Sequence, residues 1–169
     1  LPARTYAQLV MQISSVWMAI TGIFNSHLML ALAIEKFGTP AQKARWLPKL
    51  ASGEVRGGLA LTEPDAGTDL QAIRMTARRD GDDYLINGTK TWISNGGIAD
   101  FYVVFARTGA PARDTRGISA FIVERGIKGF RPGKKEDKLG VRSSDTSELI
   151  LEDVRVPAEN LLGRQGYGF

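Results

Sequence analysis

The sequence predicts an α+β protein, with N-terminal helices followed by an antiparallel β-barrel or sandwich domain. Three observations predict it. The first third carries apolar residues at helical spacing, broken by capping residues. After Gly53 the pattern changes to short apolar runs of strand length. Those runs are separated by turns rich in Gly, Pro and charge, as an antiparallel fold requires. The expected organisation is a helical part over 1–53, a β-domain over 54–163, and a connector over 164–169.

The first element lies in a stretch without charge, residues 5–34. Gln8, Gln12 and Ser15 mark a polar face, and Leu9, Ile13, Val16 and Ile20 an opposite apolar stripe. Thr21, Gly22, Asn25, Ser26 and His27 then interrupt the run. A membrane-spanning helix would be more uniformly apolar, so the reading is two helices of a soluble bundle and no membrane span. The second helix, about 23–37, is apolar nearly all round, as an enclosed helix would be, with Gly38 as its stop. Thr39-Pro40-Ala41-Gln42 reads as the next helix start, with Thr at the N-cap and Pro in the first turn. Ala44, Leu47 and Leu50 form its stripe with Trp46 alongside, and Gly53 closes it.

Strands follow at 55–61, 101–106, 118–123 and 149–156. The strongest hairpin signal is Tyr84-Leu85-Ile86, then Asn87-Gly88, then residues 89–94. Asn87-Gly88-Thr89 also matches a glycosylation acceptor, but the turn reading is preferred.

Composition narrows the function. The chain has 169 residues, 43% hydrophobic and 24% charged, the balance of a globular protein with a buried core. It has no cysteine and one histidine, His27, so disulfides, thiolate metal sites and sites needing two imidazoles are excluded. The net charge of +4, from 22 basic and 18 acidic residues, is dispersed, which argues against a nucleic-acid partner. No signal segment opens the sequence, and both ends read as cut from a longer chain.

Two stretches point to chemistry. "LALTEPDAGTDL", residues 59–70, places a polar turn straight after an apolar run. It can be a plain turn, with Pro64 fixing φ, Gly67 permitting positive φ, and Thr68 and Asp69 bonding local amides. It can also present amides and the hydroxyls of Thr62 and Thr68 to a phosphate or an electron-rich ring. "INGTKTWISNGG", residues 86–97, puts Trp92 and Ser94 on one strand face by period-two alternation. An aromatic wall beside a hydroxyl suits a flat heteroaromatic ligand; a tryptophan buried in the core is the plainer alternative.

Together these stretches resemble the acyl-CoA dehydrogenase family of flavoproteins. "FGTPAQKARWLPKLASGE" is similar to the family's helix before its β-domain, and "KLGVRSSDTSELILEDVRVPAENLLG" to its closing strands. "GYGF" resembles the junction to the C-terminal helices. The family usually has Ser where Thr68 stands and often Thr where Ser94 stands; both departures keep the hydroxyl.

The resemblance implies α,β-dehydrogenation of an acyl-CoA thioester to trans-2-enoyl-CoA with FAD as cofactor. A carboxylate takes the α-proton while the β-hydrogen leaves as hydride. Electrons then pass to an electron-transferring flavoprotein. It implies FAD contacts at Leu59, Leu61, Thr62, Gly67, Thr68, Trp92, Ile93 and Ser94, with Thr68 also near the CoA part of the substrate. The family's catalytic base is usually a Glu in the C-terminal helices, so no catalytic residue is assigned in this chain and the isolated chain is expected to be inactive. Glu63 reads as a turn or packing residue. Lys134, Lys135, Lys138 and Arg142 read as a solvated charged hairpin rather than a CoA-phosphate site. Asp145 and Thr146 read as turn residues, and His27 as a core-edge or capping imidazole. The resemblance further implies a homotetramer or homodimer, cytoplasmic in a bacterium and in the mitochondrial matrix in a eukaryote. Rival readings are a related acyl-CoA oxidase or nitroalkane oxidase, or a non-catalytic binding or assembly remnant.

Overall fold

The computed structural model describes residues 2–109 and 115–169. Its first element, α1 (Ala3–Phe37), is one helix interrupted at Trp17, where φ is −153° and ψ 94°. The expected break at residues 21–27 is not there. Those residues stay helical because their polar groups find partners: the Thr21 hydroxyl donates to Met18 O at 2.6 Å, and Asn25 Oδ1 accepts from the Tyr6 hydroxyl at 2.6 Å.

That last contact shows what the interruption does. Tyr6 and Asn25 are 19 residues apart, roughly 28 Å along a straight helix. Their side chains could not meet unless the arms folded back on each other at Trp17. The two-helix reading therefore holds, with a different hinge. Burial differs from expectation: Leu9 is 42% and Val16 88% exposed, and Leu28, Met29, Leu32 and Phe37 are also exposed. Only one face of the second arm is enclosed, through Leu30 and Ile34. Periodicity identifies a face, not what covers it.

Helix α2 (Pro40–Ser52) starts as its sequence dictates. Thr39 Oγ1 accepts from Gln42 N at 3.2 Å, and Gln42 Oε1 accepts from Thr39 N at 3.0 Å. Gly53 ends it in the left-handed conformation. The buried stripe is Gln42, Trp46 and Leu50; Ala44 is exposed, contrary to expectation. Gln42 turns inward because its amide has work elsewhere, donating to Glu159 O at 2.8 Å and Leu161 O at 3.0 Å. Trp46 stacks on Phe101 with centroids 4.2 Å apart, joining the helices to the sheet.

The sheet contains β1 (Gly57–Ala60), β2 (Thr76–Asp80), β3 (Asp83–Ser94), β4 (Phe101–Arg107), β5 (Ile118–Glu124), β6 (Phe130–Lys135), β7 (Thr146–Pro157) and β8 (Leu161–Leu162). Its order is β6-β7-β3-β2-β4-β5-β8, with β1 beside β4. The α+β class is as expected. The sheet is mixed rather than wholly antiparallel, because β1 and β2 both pair parallel to β4, and it is sandwich-like rather than a closed barrel. Strand β4 is buried on both sides. Tyr102, Val104 and Ala106 face the inner core with Phe121, Leu149 and Val156, while Phe101 and Val103 face the helices.

The expected hairpin at Asn87-Gly88 does not form. Strand β3 runs straight through, and its register on β7 shifts between Ile86 and Gly88. This is a bulge. A Cβ on Gly88 would lie 3.0 Å from Met75 Cα, so the glycine admits a close backbone crossing. The actual hairpin turn is at Gly81-Asp82, closing β2 onto β3. Strand β2 escaped the sequence pattern because Thr76, Arg78 and Arg79 leave only Ala77 turned inward. Strand β6 escaped because it holds Pro and Gly, which an edge strand tolerates.

Candidate functional site

The two stretches singled out in the sequence lie against each other. Thr91 N donates to Thr62 O at 2.9 Å, and Lys90 Nζ donates to Leu61 O at 3.0 Å. The seam deepens into a buried ion pair, Lys90 Nζ to Glu63 Oε1 at 2.8 Å, with side chains 0% and 6% exposed. Glu63 also accepts from Arg74 N at 2.7 Å and Met75 N at 3.1 Å, and its own N–H donates to Ala66 O. The carboxylate thus ties the start of the polar turn to residues 74 and 75 beyond its end, and to β3. Burial pulls the Lys90 ammonium down to about 8, against the opposing pull of Glu63.

Being held to Thr62 distorts the second stretch. The register of β3 on β7 skips from Lys90 to Ile93, and Trp92 adopts φ 56°. An aromatic residue in the left-handed region is an outlier that surrounding bonds must enforce. Here the bonds are those of Thr91 and Lys90 on one side and the β7 ladder on the other. The result projects the indole outward, 64% exposed, while Ile93 beside it is buried in the core. A core tryptophan is therefore not what this residue is.

The turn after Ser94 is equally fixed. Asn95 N donates to Asp145 O at 2.9 Å and Gly97 N to Asp145 Oδ2 at 2.6 Å. The Tyr102 hydroxyl donates to Gly96 O at 2.7 Å, and burial pushes its phenol up to about 12. The fully buried Asn95 amide donates to Ile23 O and Gly57 O, both at 3.3 Å, joining α1, β1 and β3. Its Oδ1 is the buried side-chain atom without a partner among the described residues.

Leu61, Thr62, Trp92 and Ser94 thus share one neighbourhood. Thr62 and Ser94 are half-buried, and neither the Thr62 hydroxyl nor its amide N–H has a partner among the described residues. The Cβ position of Gly67 is 3.7 Å from Thr62 Cγ2, so that glycine lies beside Thr62, and Thr68 next to it is exposed. Gly67 does not use positive φ, contrary to expectation. Leu59 sits in β1 opposite Val103 and packs toward the helices, and Ile93 points into the core. Their side chains are structural, leaving only main-chain groups for a ligand.

The remaining candidates resolve into local roles. Lys135 pairs with Asp145 at 3.6 Å, Arg142 with Asp137 at 2.9 Å, and Lys138 donates to Ser144 O and Thr146 Oγ1; Lys134 is exposed. His27 Nε2 lies 3.1 Å from Leu50 O, at the edge of the helical core. Lys90 and Asn95 carried no assignment in the sequence. For Lys90 a signal existed: counting by twos from Tyr84 and Ile86 puts it on the buried face, where a charge needs a partner.

The chain is similar to known proteins over most of its length. Residues 58–154 match the acyl-CoA dehydrogenase middle domain, and residues 1–54 the N-terminal domain of the same family. Over 166 residues the chain is 48% identical to the short-chain specific acyl-CoA dehydrogenase of Clostridium acetobutylicum, covering 98% of this chain and 44% of that protein. Butyryl-CoA dehydrogenase from Megasphaera elsdenii superposes with a TM-score of 0.80 at 49% identity, over 82% of this chain and 36% of that one. A chain from a structure of the electron transferring flavoprotein of Acidaminococcus fermentans superposes equally, TM-score 0.80 at 52% identity, over 82% and 36%. The chain spans less than half the length of these relatives.

Proposed function

The chain belongs to the acyl-CoA dehydrogenase family of FAD-dependent oxidoreductases, and from that premise we propose that it supplies one wall of the FAD site in an enzyme that oxidises an acyl-CoA thioester to trans-2-enoyl-CoA. The observation that carries this reading is the seam. The bond from Thr91 N to Thr62 O sets a free amide and hydroxyl in one neighbourhood with an outward-facing indole.

FAD supplies the two-electron acceptor when bound. The chain's own residues bind and orient it. Main-chain groups near Leu61 and the hydroxyl of Thr62 would hold the flavin's pyrimidine edge. Gly67 and Thr68 serve the pyrophosphate side, with Thr68 next to the CoA portion of the substrate. Trp92 would flank the ring, Ser94 would donate toward its N5/O4 edge, and Leu59 and Ile93 would back the site. Donors fixed in a low-dielectric seam need no reorganisation when charge develops opposite them. Glu63 is committed to Lys90 and two amides, so proton abstraction falls to a carboxylate outside this seam.

The working protein passes its electrons to an electron-transferring flavoprotein and forms a homotetramer or homodimer. It resides in the cytoplasm of a bacterium or the mitochondrial matrix of a eukaryote. Domain limits of 1–53 and 54–163 suit this arrangement. Helix α1 is long and apolar enough to cross a membrane, but its return at Trp17 and its packing on β1 support a folded helical layer instead.

The test is the visible spectrum of the purified full-length protein with and without added FAD. Flavin absorbance retained after gel filtration is expected, and its absence overturns the reading. In the loaded protein Ser94→Ala should lower the flavin reduction potential; an unchanged potential removes Ser94 from the site. Reduced protein that reacts faster with oxygen than with an electron-transferring flavoprotein would make the chain an oxidase relative.

A further inference from the structure

Lys90 is the most deeply buried cation in the described chain and touches no ligand-facing surface. Its ammonium makes two contacts: Glu63, and the carbonyl oxygen of Leu61. The second is informative. The Leu61 carbonyl and the Thr62 N–H are the two ends of one peptide group. A cation held 3.0 Å from the carbonyl oxygen draws electron density toward it and makes the N–H at the other end a stronger donor. That N–H has no partner among the described residues. The far side of Thr62 is fixed as well, its own carbonyl accepting from Thr91 N. The peptide is gripped from below on both flanks and left with one free donor.

We propose that Lys90 is a positioning residue for the redox cofactor: through the Leu61–Thr62 peptide it aims and strengthens the Thr62 N–H, and so favours the reduced, more electron-rich flavin over the oxidised one. Glu63 keeps the cation in place without cancelling its effect, because the carboxylate is shared with the amides of Arg74 and Met75. Packing alone explains neither part of this arrangement. A buried Met at position 90 with a neutral Gln at position 63 would fill the same volume without the cost of removing two charges from water.

The inference rests on the FAD site proposed above, and its test separates the two. In FAD-loaded full-length protein, the dissociation constants of oxidised and two-electron-reduced FAD are measured for wild type, Lys90→Met and Lys90→Met with Glu63→Gln. The double variant guards against misfolding, because no uncompensated charge is left buried. Lys90→Met should weaken the reduced form relative to the oxidised form by about tenfold, which is about 30 mV lower for a two-electron couple. The double variant should shift in the same direction. A purely structural Lys90 would weaken both forms equally, and an unchanged ratio in the double variant overturns the proposal. Failure of wild type to bind FAD at all would instead overturn the site on which it rests.

Discussion

Two clusters of opposite charge among the described residues make a direct contrast. Lys90 and Glu63 meet at 2.8 Å with side chains 0% and 6% exposed. Arg155 on β7 reaches Asp80 at 2.7 Å and Asp83 at 3.1 Å across the β2–β3 hairpin, with its side chain 55% exposed. The distances are alike and the solvents are not. Around Arg155 water screens every charge, and losing one partner leaves the others hydrated. Around Lys90 each charge has given up its water, so each depends on the other. The Arg155 cluster decorates a hairpin; the Lys90 pair holds the Leu61–Glu63 turn against β3 and with it the geometry of the site.

Lys90→Met is the strongest way to break this contrast. It leaves the buried Glu63 carboxyl without its cation and held only by two amides, and should cost about 3–5 kcal/mol in chemical unfolding. Adding Glu63→Gln should recover most of that loss. A single-variant loss under about 1 kcal/mol would mean that the seam is wetter than its burial implies.

Titration sharpens the same contrast. Lys90 ionises near 8 in the fold, against 10.5 for a free lysine. Between those values the unfolded chain holds a proton that the folded chain has released, so stability rises with pH across the window. Tyr102, pushed up to about 12, works in the opposite sense once pH passes 10. From pH 8 to 10 wild type should therefore gain roughly 1–3 kcal/mol relative to Lys90→Met. Parallel stability profiles would show that Lys90 does not titrate there.

Gln42 tests the intermediate case of a buried polar group without charge. Its amide staples α2 to Glu159 O and Leu161 O while its side-chain oxygen completes the helix cap. Gln42→Ala should cost about 2 kcal/mol, more than a helix cap alone, because two carbonyls lose their donor. Thr39→Ala should cost only about 1 kcal/mol in the same unfolding assay.

The same contrast governs how much could be read from sequence. The cap at Thr39, the end at Gly53 and the strands expected at 101–106 and 118–123, each found one residue longer, rest on local rules and are legible. The family likeness pointed to both halves of the seam. No hairpin forms at Asn87-Gly88 because that dipeptide is a turn signal only when the chain is free to reverse. Here both flanks are claimed by neighbouring strands, and Met75 crosses where the turn would be. The bend at Trp17 carries no breaker residue at all. What puts Trp92 outside the core is a bond from Thr91 to a residue nearly thirty positions earlier, which no local pattern encodes.

Arg155→Ala should have the smallest effect. Both aspartates keep their hydration when the guanidinium is removed, and the strands it bridges are already joined by the ladder pairs Tyr84–Val156 and Leu85–Arg155. No change in unfolding midpoint is expected at about 0.15 M salt, where exposed charges are screened beyond roughly 8 Å. A small loss at low salt would fit, since screening then weakens. A loss as large as that of Lys90→Met would erase the distinction between the clusters. Contact distance rather than burial would then decide what an ion pair contributes to this fold.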